Sequence, residues 1–283
     1  MPELPEVEAV RQGLDRLVTG RTIEQIQVLW PRIVDARTPE EVSGFEASLA
    51  GSTIQKVSRR GKYLLFYLDD GILVSHLRME GKFHFFPQAN SADLPAHVHL
   101  KCYFTDQSLL VYQDVRKFGR FERLELGQEA EFFANKKLGP EPTADCFLLS
   151  DFIESLAKSQ QMIKPALLSQ RLVAGLGNIY VDECLYQAGI HPATRAKDLR
   201  NNQIIQLHQA IIETIQSAVE AGGSSVRSYR NALGEAGHYQ DQLKVYQRQG
   251  QACLRCGHEI QKIKLAQRGT HFCPHCQRLG EVN

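Results

Sequence analysis

Four cysteines near the C-terminal end restrict what this chain can fold into more than any other feature. Cys253 and Cys256 enclose two residues, and sixteen residues later Cys273 and Cys276 repeat that spacing. Each pair can close a tight knuckle, and four deprotonated thiolates fill every position of a tetrahedral Zn2+. With no position left for a substrate, one such ion is structural rather than catalytic. The intervening Glu259 to Phe272 is long enough for a β-hairpin. The competing reading is a redox-active Cys-x-x-Cys pair. The chain has seven cysteines, an odd number that argues against a disulfide framework. Cys102, Cys146 and Cys184 lie in apolar surroundings and are expected to be buried small hydrophobes.

The charge pattern points the same end of the chain at a polyanion. The formal net charge is only +1. Between Lys244 and Arg278, however, Lys244, Arg248, Arg255, Lys262, Lys264, Arg268 and Arg278 face a single acid, Glu259, a balance that suits a polyanion partner. No apolar run approaches the roughly 20 residues that span a bilayer, and the first residues are acidic and proline-rich rather than basic then apolar. The expectation is a cytoplasmic protein with no membrane partner.

Period changes along the chain divide it. Val7, Val10, Leu14 and Leu17 recur at helical spacing up to Gly20, which predicts a short leading amphipathic helix. From Ile23 to Phe121 the pattern is β-rich, with Tyr63 to Leu68 and Ile72 to Leu77 joined by Asp69-Asp70-Gly71, a hairpin signal. From about Asp151 the spacing is helical again, through Ile163, Leu167 and Leu168 and then Ile204 to Val219. The fold class is therefore α+β: a leading helix with a β-sandwich or barrel over 1–134, a helical domain over 135–240, and a zinc-ribbon hairpin over 241–283.

The N-terminal Met1-Pro2-Glu3-Leu4-Pro5-Glu6 admits two readings. Removal of Met1 exposes a secondary amine whose pKa of about 7.7–8.0 leaves part of it neutral and nucleophilic near neutral pH. Its attack on an anomeric carbon gives an iminium ion that is cationic without acid and that acidifies neighbouring C–H bonds. Glu3 is then placed to act as a general acid. The structural alternative is that Pro5 suits a first helical turn while Glu3 and Glu6 suit its positive end.

Several separate motifs, in order, settle the choice. Met1 to Val7, Ser58-Arg59-Arg60-Gly61-Lys62-Tyr63, His76-Leu77-Arg78-Met79-Glu80-Gly81, Asp114-Val115-Arg116-Lys117-Phe118-Gly119, Leu172 to Tyr180 and the cysteine pairs together resemble the formamidopyrimidine-DNA glycosylases, nearly end to end. Leu4 resembles the branch acting on purine lesions. The resemblance implies that the N-terminal domain is a β-sandwich, that Pro2 is the Schiff-base nucleophile, Glu3 the general acid with Glu6 in support, and Lys62 a participant in β-elimination. Met79, Arg116 and Phe118 correspond to the triad that fills the gap left by an extruded base. Arg can pair with the orphaned cytosine, and the charged neighbours of Met79 and Phe118 argue for exposed turns rather than core. His76, His97 and Asn178 correspond to contacts with the DNA backbone, Asn178 within a helix-two-turns-helix element over Lys164 to Pro192, where it is also expected to cap the following helix. Arg268 corresponds to the zinc-finger arginine that grips phosphates and assists δ-elimination. Gly222 to Tyr239 corresponds to the loop that covers the flipped purine.

The implied function is a bifunctional glycosylase and abasic-site lyase that removes 8-oxoguanine and formamidopyrimidines from damaged double-stranded DNA, as a monomer associated with the bacterial nucleoid. Two alternatives stand beside it: a non-catalytic lesion-sensing zinc-ribbon protein, and a glycosylase for oxidised pyrimidines.

Overall fold

The computed structural model describes residues 2–91, 93–224 and 237–279; Met1 and most of the expected lesion-covering loop lie outside the described residues. The chain forms two compact units. One runs through Phe133 and includes Ser224 and Gly237, and the other comprises Ala134–Gly223 and the chain from His238 onward.

The first unit opens with α1 (Leu4–Val18). Pro5 supplies a φ already suited to a first turn, and the Glu6 carboxylate accepts a hydrogen bond from the Glu3 amide at 2.8 Å, closing the N-terminus. Val7, Val10, Leu14 and Val18 form its buried face, which packs on the strand β2 (Ile54–Arg60). Each such side chain contributes on the order of 1.5–3 kcal/mol when fully buried. Beneath it, β2 joins β3 (Tyr63–Leu68), β4 (Ile72–His76) and β8 (Arg120–Leu124) in an antiparallel sheet of order β2-β3-β4-β8. A second antiparallel sheet runs β1-β6-β7-β5, from β1 (Ile23–Val28), β6 (Val98–Phe104), β7 (Leu109–Gln113) and β5 (Lys82–Phe86). One apolar cluster, including Leu64, Phe66, Phe83, Leu100, Tyr112 and Phe121, fills the space between them. This is the expected sandwich with its leading helix.

Within the β-rich stretch the chain also forms α2 (Pro39–Ala47), which sequence periodicity does not show because none of its residues is buried. Its signal lies in the cap instead: the Thr38 hydroxyl accepts the Glu41 amide at 3.2 Å and Pro39 starts the helix. The short α3 (Glu129–Asn135) follows β8.

The second unit contains α4 (Leu149–Ala157), α5 (Ile163–Leu168), α6 (Asn178–Gln187) and α7 (Asn201–Glu220). Ile204, Leu207, Ile211, Ile215 and Ala218 form the buried stripe of α7 against α6. Beyond them, β9 (Gln261–Leu265) and β10 (Arg268–Phe272) pair as the antiparallel hairpin anticipated between the cysteine pairs. Cys102 and Cys184 are buried as expected, but Cys146 is exposed. It lies in the irregular segment before α4, where its own amide and that of Phe147 both donate to the Thr143 carbonyl, so Phe147 turns inward while Cys146 does not. Among the described residues, no helix is long and apolar enough to cross a membrane.

Candidate active site and nucleic-acid interface

At the start of α1, Pro2 is buried, and Glu3 and Glu6 are each 3% exposed. Glu6 holds this terminus at two points: one carboxylate oxygen accepts the Glu3 amide and the other accepts the Ser224 amide at 2.6 Å. The carboxylate therefore fixes the main chain on which Pro2 and Glu3 are carried.

Lys62 occupies a two-residue turn between β2 and β3, where Arg60 pairs with Tyr63. Gly61 has φ +57°, the left-handed conformation required at the first central position of a type II′ hairpin turn. A basic run before a strand ordinarily faces solvent, yet Lys62 is only 5% exposed. Arg59, by contrast, is structural: its Nε lies 3.0 Å from Glu8, and its Nη1 donates to the Gly61 carbonyl. Burial alone would raise the Glu8 pKa, but the guanidinium groups of Arg11 and Arg59 outweigh it and hold the carboxyl below its ordinary value.

Two turns carry the expected intercalating residues. His76 ends β4, is mostly buried, and packs edge-on against Tyr63 with ring centroids 4.6 Å apart. Its Nδ1 accepts the Arg78 amide at 2.9 Å, which sets the turn holding Met79, a half-buried residue beside exposed Arg78 and Glu80. The second turn hangs from Asp114. This fully buried carboxylate accepts the amides of Arg116 (3.0 Å), Phe118 (2.8 Å) and Gly119 (2.8 Å). With those amides tied inward, the side chains of Arg116 and Phe118 are turned outward. Phe118 is 47% exposed, and Arg116 Cζ lies 4.9 Å from its ring centroid. Sequence reasoning quoted Asp114 in the motif without giving it a role, although an Asp followed by a tight turn is a known way to satisfy amides two residues on. His97 is exposed at φ +66°, just before β6, while His99 is buried with Nε2 2.9 Å from the Asp114 carbonyl.

In the second unit the four cysteine sulfurs converge. The Sγ atoms of Cys253, Cys256, Cys273 and Cys276 all lie within 4.8 Å of one another, with Cys253–Cys276 at 3.9 Å and Cys256–Cys273 at 3.5 Å. Tetrahedral sulfurs at about 2.3 Å from zinc stand about 3.8 Å apart, so the four fit one structural zinc ion. The amides of Arg255 and Cys276 point at Cys253 and Cys273 in the two knuckles, and the Tyr186 hydroxyl lies 3.3 Å from Cys253 Sγ. His258 and His275 also approach Cys256, but their rings stack nearly parallel at 4.1 Å, which aims their nitrogens side by side rather than at a shared ion.

The hairpin is joined to the helices by a buried charged network. Lys164 Nζ donates to Asp182 Oδ1 at 2.6 Å and to the Gly269 carbonyl at 3.0 Å. Asp182 Oδ2 accepts the His271 amide at 2.9 Å and faces His271 Nδ1 at 3.2 Å. Asn178 Nδ2 donates to the same Gly269 carbonyl at 2.9 Å. This corrects the capping expectation: Gly177, not Asn178, is the N-cap of α6, and the Asn178 side chain makes no cap bond because it reaches across to β10. Arg268, exposed at the first position of β10, is one residue from that anchored carbonyl. The turn before it, Ala266-Gln267, has φ of +45° and +63°, a type I′ geometry that normally selects Asn-Gly. Backbone held this way without glycine is strained, and such strain gathers at functional sites.

The chain thus combines a β-sandwich that carries a proline ahead of its first helix with a helical unit that bears a zinc-fitting hairpin. The formamidopyrimidine-DNA glycosylase N-terminal domain matches residues 1–121, the corresponding H2TH domain residues 138–230, and a zinc finger found in FPG and IleRS residues 250–279. A formamidopyrimidine-DNA glycosylase of Enterococcus faecalis is 52% identical, with 99% of this chain and 98% of that protein covered. A Lactococcus lactis Fpg variant, in complex with DNA containing Fapy-dG, superposes with a TM-score of 0.92 at 48% identity, over 98% of this chain and 100% of that one. The same protein with DNA containing an abasic site gives 0.90 at 48% identity and the same coverage. The chain belongs to the formamidopyrimidine-DNA glycosylase family, DNA glycosylases of base excision repair whose activities include abasic-site lyase.

Proposed function

We propose that this enzyme excises oxidised purines, 8-oxoguanine and formamidopyrimidines, from damaged duplex DNA through the Pro2 amine, and then nicks the strand by β,δ-elimination. With Met1 removed, the Pro2 nitrogen attacks C1′ of the extruded nucleotide as the C1′–base bond breaks; the base leaves with that bonding pair and takes up the proton that the nitrogen sheds, which returns a lone pair to the nitrogen. Glu3 delivers a proton to the ring oxygen, the sugar opens, and the nitrogen lone pair completes a C1′ iminium ion. That cation acidifies C2′. Loss of a C2′ proton expels the 3′ phosphate, with Lys62 at the lesion, and a second elimination assisted by Arg268 expels the 5′ phosphate. Met79, Arg116 and Phe118 fill the gap in the helix, and His76, His97 and Asn178 hold phosphates. Base excision and the first elimination are assigned to 1–134, DNA gripping to 135–240, and phosphate contact with assistance to the second elimination to the ribbon at 241–283. The enzyme works as a cytoplasmic monomer that reaches the nucleoid through DNA and has no membrane partner.

The observation that carries this reading is the burial of Pro2, Glu3 and Lys62 in one unit whose terminus is held by Glu6. A lesion sensor without chemistry has no need for a lysine kept out of water at a hairpin tip, because burying a charge is expensive. The test compares duplexes carrying 8-oxoguanine and thymine glycol. Nicking of the first in large excess over the second is expected. Binding without nicking favours the sensor, and a reversed preference favours the oxidised-pyrimidine branch.

A further inference from the structure

The two base-invading turns meet at one atom. Tyr112 sits in β7, bonded on both sides, opposite Phe83 of β5 and Leu100 of β6. Its side chain is fully buried, and its ring meets Phe83 and Phe121 edge-on, with centroids 5.2 and 5.0 Å apart. Yet its hydroxyl has no hydrogen-bond partner among the described residues. A buried hydroxyl left unpaired costs about 1–3 kcal/mol, and phenylalanine would avoid that cost with nearly the same shape. Burial also pushes the phenol pKa up, so the oxygen is not kept for its charge.

What the oxygen does is mechanical. A Cβ placed on Gly81 would stand 2.8 Å from Tyr112 Cζ and one on Gly119 would stand 2.7 Å from it, and either would overlap the hydroxyl outright. Gly81 closes the Met79 turn, its amide donating to the Leu77 carbonyl at 3.1 Å. Gly119 closes the Arg116–Phe118 turn on the Asp114 carboxylate. Both glycines are therefore bare where they rest on the phenol, whose ring is itself packed edge-on against Phe83 and Phe121 in the core.

We infer that Tyr112 is a positioning residue for base extrusion: its hydroxyl is the shared spacer that sets the Met79 turn and the Arg116–Phe118 turn at a fixed separation. This rests on the proposed intercalating role of those residues. Two side chains entering one base stack must arrive with matched height, since a misplacement of about 1 Å can cost as much as a hundredfold in rate.

The test uses the full-length zinc-loaded enzyme and its Tyr112→Phe, Gly119→Ala and Phe118→Ala variants. Substrates are an 8-oxoguanine duplex with 2-aminopurine beside the lesion, whose fluorescence reports extrusion, and a single strand with an abasic site, which needs none. Tyr112→Phe is expected to melt no lower than wild type, to slow extrusion and duplex excision by about tenfold or more, and to change the ratio of single-strand nicking to duplex excision by the same factor. Gly119→Ala, which drives a methyl onto the same oxygen, is expected to shift that ratio in the same direction. The only tryptophan of the chain, Trp30, lies 4.2 Å from Lys117 Nζ in the second turn, so its emission in the free protein should also change with Tyr112→Phe. Unchanged extrusion and unchanged Trp30 emission in Tyr112→Phe overturn the inference. If Phe118→Ala also leaves extrusion unchanged, the intercalation reading itself falls, which distinguishes the two failures.

Discussion

Replacing Lys164 by methionine isolates the charged network that holds the zinc hairpin on the helices. Met keeps most of the apolar stem and removes only the ammonium, which donates to Asp182 at 2.6 Å and to Gly269 at 3.0 Å with both ionic side chains no more than 1% exposed. Among the described residues, Asp182 then keeps the His271 amide and ring. Removing one partner of a buried ion pair costs about 3–5 kcal/mol because the remaining charge has nowhere to go. At roughly 2–4 °C per kcal/mol for a protein of this size, the transition of the second unit should fall by roughly 6–20 °C. Calorimetry of Lys164→Met, Asp182→Leu and the double variant measures this. The double variant should recover much of the loss, since replacing both charges with apolar groups is often nearly neutral. A loss below about 1 kcal/mol in Lys164→Met, or a double variant as unstable as the two single losses summed, would refute the reasoning. Because Gly269 also loses one of its two donors, lesion-duplex affinity should drop together with stability.

Glu8 predicts the direction of one pH effect. Its folded pKa is depressed, so its contribution is present above the unfolded carboxyl value and is lost as pH falls through the folded one. Acid unfolding curves of wild type and Glu8→Gln should therefore separate near neutral pH and converge in strong acid, and parallel curves would show that Arg11 and Arg59 do not stabilise the carboxylate. Chelation of zinc should release Cys253 and Cys273 from their small core with Tyr186, Val245 and Ile260. It should abolish DNA binding in a retardation assay while far-ultraviolet dichroism keeps most of the helical signal. The Ala266-Gln267 turn should accept Asn-Gly with a gain of about 1 kcal/mol or more, read as slower zinc loss to a chelator.

The layout was legible wherever burial follows a simple period. The face of α1, the β3–β4 hairpin around Asp69-Asp70-Gly71 and the stripe of α7 all appear in the apolar spacing. The zinc site was legible because its ligand types and spacing have few other uses. The helix α2 shows no period because none of its residues is fully buried and only Phe45 packs partly on the core, and Cys146 departs from expectation because apolar neighbours in an irregular segment do not fix a side chain's direction. The partners that position the site were the hardest to read. Lys164 with Asp182 and Asn178 with Gly269 are linked by hydrogen bonds over 18 and 91 residues of sequence. No local pattern encodes such pairings; they exist only once the strands and helices are packed.

The central claim is that the nitrogen of Pro2 becomes covalently joined to the damaged sugar. It is tested most directly by borohydride reduction of the enzyme with an 8-oxoguanine duplex, followed by proteolysis and mass analysis of the trapped peptide. The account predicts a chain lacking Met1, one DNA adduct per protein on the peptide beginning at Pro2, and no adduct in Pro2→Gly. An adduct mapped to Lys62, equal trapping in Pro2→Gly, or a native chain that retains Met1 and still traps DNA would contradict it.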